Sequence, residues 1–304
     1  MRFNRKFLIL PLLFSILACS ESIELELNPK AGKTHQLNST GLSTVQQIIN
    51  GEDIVMTSET VMNIDFTPMD AGEFRNSVIE AQFSKISLLA QSKFGEVFFE
   101  SGKDQYDDIT EYMISRLTKF PFNVQMRANG EVSKISGINR VISEAFKIVD
   151  YSEDEGNVIR EALLLSYGPE PLTSHIEMAL SILPTGPVKL GDTWNTSTLL
   201  RSNVYARAQT TCKLEKIERD YVLIRTESEV IPEDKNRYVN ISGAPMRYDV
   251  QGASRGLYRV NRKTGWTEQA TIDMNLEGTS YTRSPDGKEI AIPLKISSKI
   301  EFTN

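Results

Sequence analysis

The chain has 304 residues, 40% of them hydrophobic, with 34 Lys and Arg against 40 Asp and Glu and a formal net charge of −6. That length and composition allow a sizeable core in one large domain or two similar halves. The mild acidity and the lack of a basic stripe argue against a nucleic-acid binder, and two cysteines leave no room for a disulfide framework or a cysteine-rich metal site.

The first predicted element is a secretory signal. Arg2, Arg5 and Lys6 precede a short apolar run over residues 7–18, a positive start and apolar stretch of the signal-peptide kind, too short to span a bilayer. The run closes on Ile16-Leu17-Ala18-Cys19, which resembles the bacterial lipobox, although Leu17 is a less usual residue at its position. The resemblance implies cleavage before Cys19 and acylation of that residue. Cleavage would leave residues 19–304 and remove three positive charges, taking −6 to −9. Several acyl chains at about 0.8 kcal/mol per buried CH₂ would anchor an otherwise soluble body. Ser20 after the cysteine favours the outer membrane over the inner, and Cys212 is left without a partner thiol.

Ile23, Leu25 and Leu27 alternate with Glu24 and Glu26, the period of a half-buried strand, so the tether is very short. A turn over residues 28–33 leads into a long extended segment to residue 49. Asn50-Gly51 then joins it to a run over 54–66, with Ile54, Met56, Met62, Ile64 and Phe66 on one face, a hairpin signal. Another strand pair is expected over 79–91 and 96–100. Within it the apolar face switches from Phe83 to Ile86, which marks a bulge.

The middle changes period. Helical spacing predicts helices through Tyr106, Ile109, Met113 and Leu117; through Ile138, Val141, Ile142, Ala145 and Val149; and over 156–166 and 172–183, with a hairpin at Asn129-Gly130 after the first. Pro184 stops the last. Strands return with Ala206, Ala208, Thr210, Cys212 and Leu214 on one face, then Trp266, Ala270, Ile272, Met274 and Leu276, then Ile290, Ile292, Leu294, Ile296, Ile300 and Phe302. Pro293 argues for an edge position for this last strand. Alternation on one face implies antiparallel sheets covered on one side. The expected fold is α+β, two β-rich antiparallel halves with a helical middle segment covering the sheets. The expected units are a signal over 1–18, an N-terminal β-rich half with helices over 19–184 and a C-terminal antiparallel half over 185–304.

Residues 30–35, KAGKTH, end like a phosphate-binding loop, but the first glycine of such a loop would fall at Leu27, and an extended segment follows in place of a helix. No nucleotide site is expected. KLGDTW at 189–194 repeats the frame, with Trp194 where the first copy has His35, so the pair reads as turns opening two duplicated halves. Gly32-Lys33-Thr34, Ala128-Asn129-Gly130-Glu131-Val132, Leu183-Pro184, Val188-Lys189-Leu190-Gly191-Asp192-Thr193-Trp194 and Gly256-Leu257-Tyr258-Arg259-Val260 occur in an order that resembles a family of uncharacterised envelope lipoproteins of the Bacteroidota type, known as a domain of unknown function. Over less of the pattern the chain is also similar to half-barrel periplasmic carriers of lipids and lipoproteins. The resemblance carries no catalytic set.

The residues themselves add none. His35 reads as packing, His175 as helix surface, and neither has neighbours at metal-ligand spacing. There is no Gly-x-Ser-x-Gly elbow. Asp104, Asp107, Asp108 and Glu111 begin a predicted helix, where negative charge is favoured by about 0.3–1 kcal/mol each, so they read as a cap. The sequence therefore points to a non-enzymatic membrane-anchored envelope lipoprotein, without cofactor or metal, acting as a binding or structural module on an envelope protein or a ligand. The alternative is a carrier or chaperone whose Met56, Met62, Phe66, Met274 and Trp266 line a cavity for a hydrophobic ligand. A hydrolase with a scattered site is a distant third.

Overall fold

The computed structural model describes residues 22–69, 78–103, 106, 108–147, 152–201, 204–241, 243–284 and 286–304. In chain order the elements are β1 (His35–Ile49), β2 (Glu52–Pro68), β3 (Val78–Ser92), β4 (Gly95–Glu100), α1 (Ile109–Leu117), β5 (Phe122–Met126), β6 (Val132–Ser136), α2 (Ile138–Ala145), α3 (Glu153–Tyr167) and α4 (Pro169–Leu180). There follow β7 (Thr193–Arg201), β8 (Tyr205–Ile217), β9 (Tyr221–Pro232), β10 (Val239–Ile241), β11 (Ala244–Asn261), β12 (Thr267–Arg283) and β13 (Glu289–Thr303). β1, β2, β3, β8, β12 and β13 fall where alternation places them, while β9 and β11 lie where no strand was expected. The Asn50-Gly51 turn has both residues at positive φ, 52° and 83°, the conformation that Asn-Gly supplies most cheaply to a two-residue hairpin. The bulge is present too: Asn63 faces Lys85 while Ile64 faces Phe83, so Ser84 is the extra residue. Val149 lies outside the described residues.

The expected α+β arrangement of two β-rich halves under a helical middle is overturned. All the described strands belong to one antiparallel sheet, in the order β6-β5-β3-β2-β1-β13-β12-β11-β9-β8-β7, with β4 and β10 attached to β3 and β11. The halves fuse because β1 pairs with the last strand, β13, from Asn38 opposite Thr303 to Gln47 opposite Leu294. Alternation in β1 and β13 fixes which face each buries, and says nothing about a partner at the other end of the chain. For the same reason β13 is central, between β1 and β12, and the edge position expected from Pro293 is wrong. The proline is tolerated because pairing with β1 has already ended at Leu294.

Helices α2, α3 and α4 form the crossover from one sheet edge to the other. Ten strand spacings of about 4.8 Å would hold the β6 and β7 edges roughly 48 Å apart in a flat sheet, yet α4, about 18 Å long, is bonded to both. On the β6 side, the Val132 amide donates to Glu177 Oε1 at 3.0 Å. On the β7 side, Ser174 Oγ donates to Leu199 O at 2.5 Å and accepts the Arg201 amide at 2.9 Å. The sheet is therefore curled around α4, and two of that helix's polar side chains cap the backbone of both free edges.

The inner wall also satisfies the end of α4. Carbonyls in a last helical turn have no partner within the helix; here Tyr258 Oη donates to Met178 O at 2.9 Å and Thr267 Oγ1 to Ala179 O at 2.7 Å. At its start Pro169 and Pro171 carry no amide hydrogen to satisfy. Leu172, Ile176, Ala179 and Leu180 are buried with Phe66, Phe83, Phe122, Trp266 and Phe302 in the main core. A smaller cluster, with Ala208, Val230, Val250, Leu276 and Leu294, fills the far part of the inner face. Ser174→Ala would leave Leu199 O and Arg201 N unpaired inside the seam, and is expected to cost about 1–3 kcal/mol, read as a lowered urea midpoint at unchanged slope.

The chain enters this body early. Ile23, Leu25 and Leu27 are buried, as their alternation requires, although only Ile23 forms a β-bridge, with Val188. The Leu27 amide donates to Ala128 O at 2.6 Å and the Asn28 amide to Thr264 O at 2.7 Å. KAGKTH and KLGDTW are both turns that open strands, but β1 lies in the middle of the sheet and β7 at its edge.

Candidate functional site

The interior around α4 is filled. The hollow between its C-terminal half and the walls of β7, β8, β9 and β11 measures about 40 Å³, an order of magnitude below the roughly 300–1,000 Å³ of ligand pockets. Of the side chains expected to line a cavity, Phe66 and Trp266 are core, Met62 and Met274 pack against it, and Met56 is exposed. Trp266 Nε1 donates to Gln36 O at 3.0 Å, which is how a buried indole is normally accommodated.

A roomier space lies outside the curl. A cleft of about 340 Å³ opens between α3, the start of α4 and β10. Leu164, Leu165, Pro169, Pro171 and Val239 make its walls apolar; Arg201, Tyr205, Arg237, Tyr238 and Glu170 bring polar groups into it, and so do Glu161 and Asn240, which are bonded to each other at 2.8 Å. Arg201 is positioned by a bidentate pair with Glu233, Nε to Oε2 at 3.2 Å and Nη2 to Oε1 at 3.1 Å; these bonds raise the already high pKa of its guanidinium. The Arg237 guanidinium stacks 3.9 Å from the Tyr205 ring, a favourable cation–π geometry. Tyr205 Oη donates to Glu170 Oε2 at 3.1 Å; burial first, then the Glu170 charge, push that hydroxyl's pKa up. Glu170 is held loosely by the arginines, 3.5 Å from Arg237 Nη2 and 3.7 Å from Arg201 Nη1. A more polar hollow of about 400 Å³ lies beside the N-terminal segment, where Glu24, Glu26 and Arg127 line it.

The residues singled out in the sequence fall elsewhere. Cys19, Asp104 and Asp107 lie outside the described residues. Asp108 caps α1, its Oδ1 accepting from the Thr110 and Glu111 amides at 2.6 and 3.2 Å, and the buried Glu111 pairs with Lys103 at 2.5 Å. His35 packs on Trp266 with ring centroids 5.0 Å apart. His175 corrects its reading as helix surface: Nε2 is buried without a partner and the ring lies 5.3 Å from that of Phe302, because α4 is surrounded by the sheet and has no fully solvated face. Cys212 is buried, as expected, and burial pushes its thiol up to about 11. Among the described residues no three His, Cys, Asp or Glu side chains stand close enough to hold a metal ion, and no helix is long and apolar enough to cross a membrane. Sequence reasoning missed the cleft, whose charged groups come from positions 161, 170, 201 and 237.

Fold and site together define an antiparallel β scaffold, curled around one helix, with an arginine- and tyrosine-lined cleft on its flank. Residues 75–267 match a family described as a family of unknown function, DUF6263, and the chain belongs to that family, in keeping with its resemblance to a domain of unknown function. No curated protein gives a significant match. Among solved structures the chain is similar to one titled for lipid–protein interactions in lipovitellin, at 10% identity and a TM-score of 0.48, covering 90% of this chain and 25% of that one. It thus spans about a quarter of the lipovitellin chain. It is also similar to the COG4313 outer membrane channel from Pseudomonas putida F1, at 8% identity and a TM-score of 0.25, covering 91% and 97% of the two chains.

Proposed function

We propose that the protein is an envelope lipoprotein of the Bacteroidota type, anchored in the outer membrane through an acylated Cys19 and acting as a non-enzymatic binding module. The observation that carries the reading is how soon after Cys19 the chain becomes part of the body. Ile23 N donates to Val188 O at 2.8 Å and Val188 N to Ile23 O at 2.9 Å. Four residues reach about 14 Å at full extension, so an acylated Cys19 would hold the scaffold against the membrane surface. A binding role is supported by the cleft, which has the apolar walls and few convergent polar groups of a ligand site. The carrier alternative with an enclosed ligand finds no support in an interior hollow of about 40 Å³.

Cys19→Ala tests the anchor. The variant is expected to lose palmitate incorporation and to leave the membrane fraction, with its thermal unfolding unchanged. Wild-type levels of label in the variant would sink the reading.

A further inference from the structure

We propose that the flank cleft binds a small single-chain amphiphile with a carboxylate head, the head at Arg201 and Arg237 and the tail along Leu164, Leu165 and Val239. The proposal rests on the binding-module reading and names the ligand class of its cleft.

At the head site Glu170 accepts from Tyr205 Oη but is held only loosely by the arginines. Its oxygens stand 3.5 and 3.7 Å from the two guanidiniums, beyond the 2.7–3.2 Å of a good N–H···O bond. Arg201 is held from behind by Glu233, and Arg237 is laid flat by Tyr205, so both forks stay in place whatever occupies their free edges. Glu170 is 43% exposed and can swing into water, surrendering its place to an incoming carboxylate. That exchange would give Arg201 and Arg237 an acceptor at full hydrogen-bonding distance and would replace the bond that Tyr205 Oη now makes to Glu170 Oε2 at 3.1 Å, in a partly desolvated site where charge-assisted bonds are strongest. The start of α4, whose cap Gly168 offers no side chain, adds a dipole of the favourable sign.

The size and walls of the cleft suit a single tail. At about 340 Å³ the cleft lies at the low end of ligand pockets, enough for one alkyl chain and too little for a two-chain phospholipid. Leu164 remains 36% exposed, so a tail would cover apolar surface that now faces water.

The experiment is equilibrium dialysis of radiolabelled decanoate against the intact lipidated protein in phospholipid nanodiscs, with binding to empty nanodiscs subtracted. One saturable site is expected. Arg237→Ala should weaken it roughly tenfold, the value of one charge-assisted bond, and Glu170→Gln should tighten it severalfold by removing the competing carboxylate. Decanol, with the same tail and no charge, should bind far more weakly. Both side chains are more than 40% exposed, and unchanged thermal unfolding of the variants will show that the fold is intact. No saturable binding, or equal binding by wild type and both variants, would overturn the ligand class, as would decanol binding as tightly as decanoate. None of these outcomes touches the anchor, which the membrane fractionation of Cys19→Ala decides separately.

Discussion

Gly130→Ala is expected to destabilise the protein by about 4 kcal/mol or more, a loss reserved for changes that break the backbone or the core. Gly130 sits in the β5–β6 turn at φ +87°, and a Cβ there would lie 2.0 Å from Leu180 O and 2.5 Å from Leu180 C. The left-handed conformation alone costs a non-glycine residue about 1–2 kcal/mol. The rest comes from the clash, which no rotamer can relieve because both partners are backbone. To make room, the turn must move off the end of α4, and the bond from Val132 to Glu177 a few residues away goes with it. Gly51→Ala supplies the control: it has φ +83° and nothing within 4 Å of its Cβ position, so it should cost only the conformational part. Urea midpoints of the two variants separate the contributions. A Gly130→Ala loss no larger than that of Gly51→Ala would mean that the turn does not abut the helix.

The same contact shows what the sequence could and could not disclose. Asn129-Gly130 is legible as a turn from its residue types alone, and the strand faces are legible because a pleat repeats every two residues. Which strands become neighbours is not, since one-face alternation is equally consistent with two sheets or one. The surrounded state of α4 does leave a trace in the sequence. Residues 169–184, PEPLTSHIEMALSILP, contain no lysine or arginine, which is unusual for a helix with a solvated face. Ser174, His175 and Glu177 interrupt its apolar stripe not because they face water but because two of them cap sheet edges and the third meets Phe302. The cleft was illegible for a different reason. Its arginines and carboxylates are ordinary charged residues until the crossover helices bring Glu170 beside Arg201 and Arg237, a juxtaposition set by topology and not by spacing.

Acidification is expected to destabilise the fold through His175, by roughly 3 kcal/mol between neutral pH and pH 4. Burial alone lowers its pKa to about 4, against 6.5 for the free side chain. The folded state therefore holds the ring neutral across a range in which the unfolded chain takes up a proton. With the folded pKa depressed, the stabilising contribution is complete above pH 6.5 and is lost as pH falls from there towards 4. His35 acts in the same direction, its pKa lowered by burial and then by Lys33. Glu177, two residues along α4, opposes both: burial raises its carboxyl pKa, so its share of stability grows as pH falls through that range. The wild-type profile is a sum of these effects, and the His175 part is isolated by His175→Leu, which keeps an apolar neighbour for Phe302 and removes the titration. Urea midpoints at half-unit steps from pH 7 to pH 4 should fall more steeply for wild type than for the variant. Parallel profiles would mean that the imidazole is solvated in the folded protein, and the sheet would then have to open beside β13, where the curl now encloses the helix.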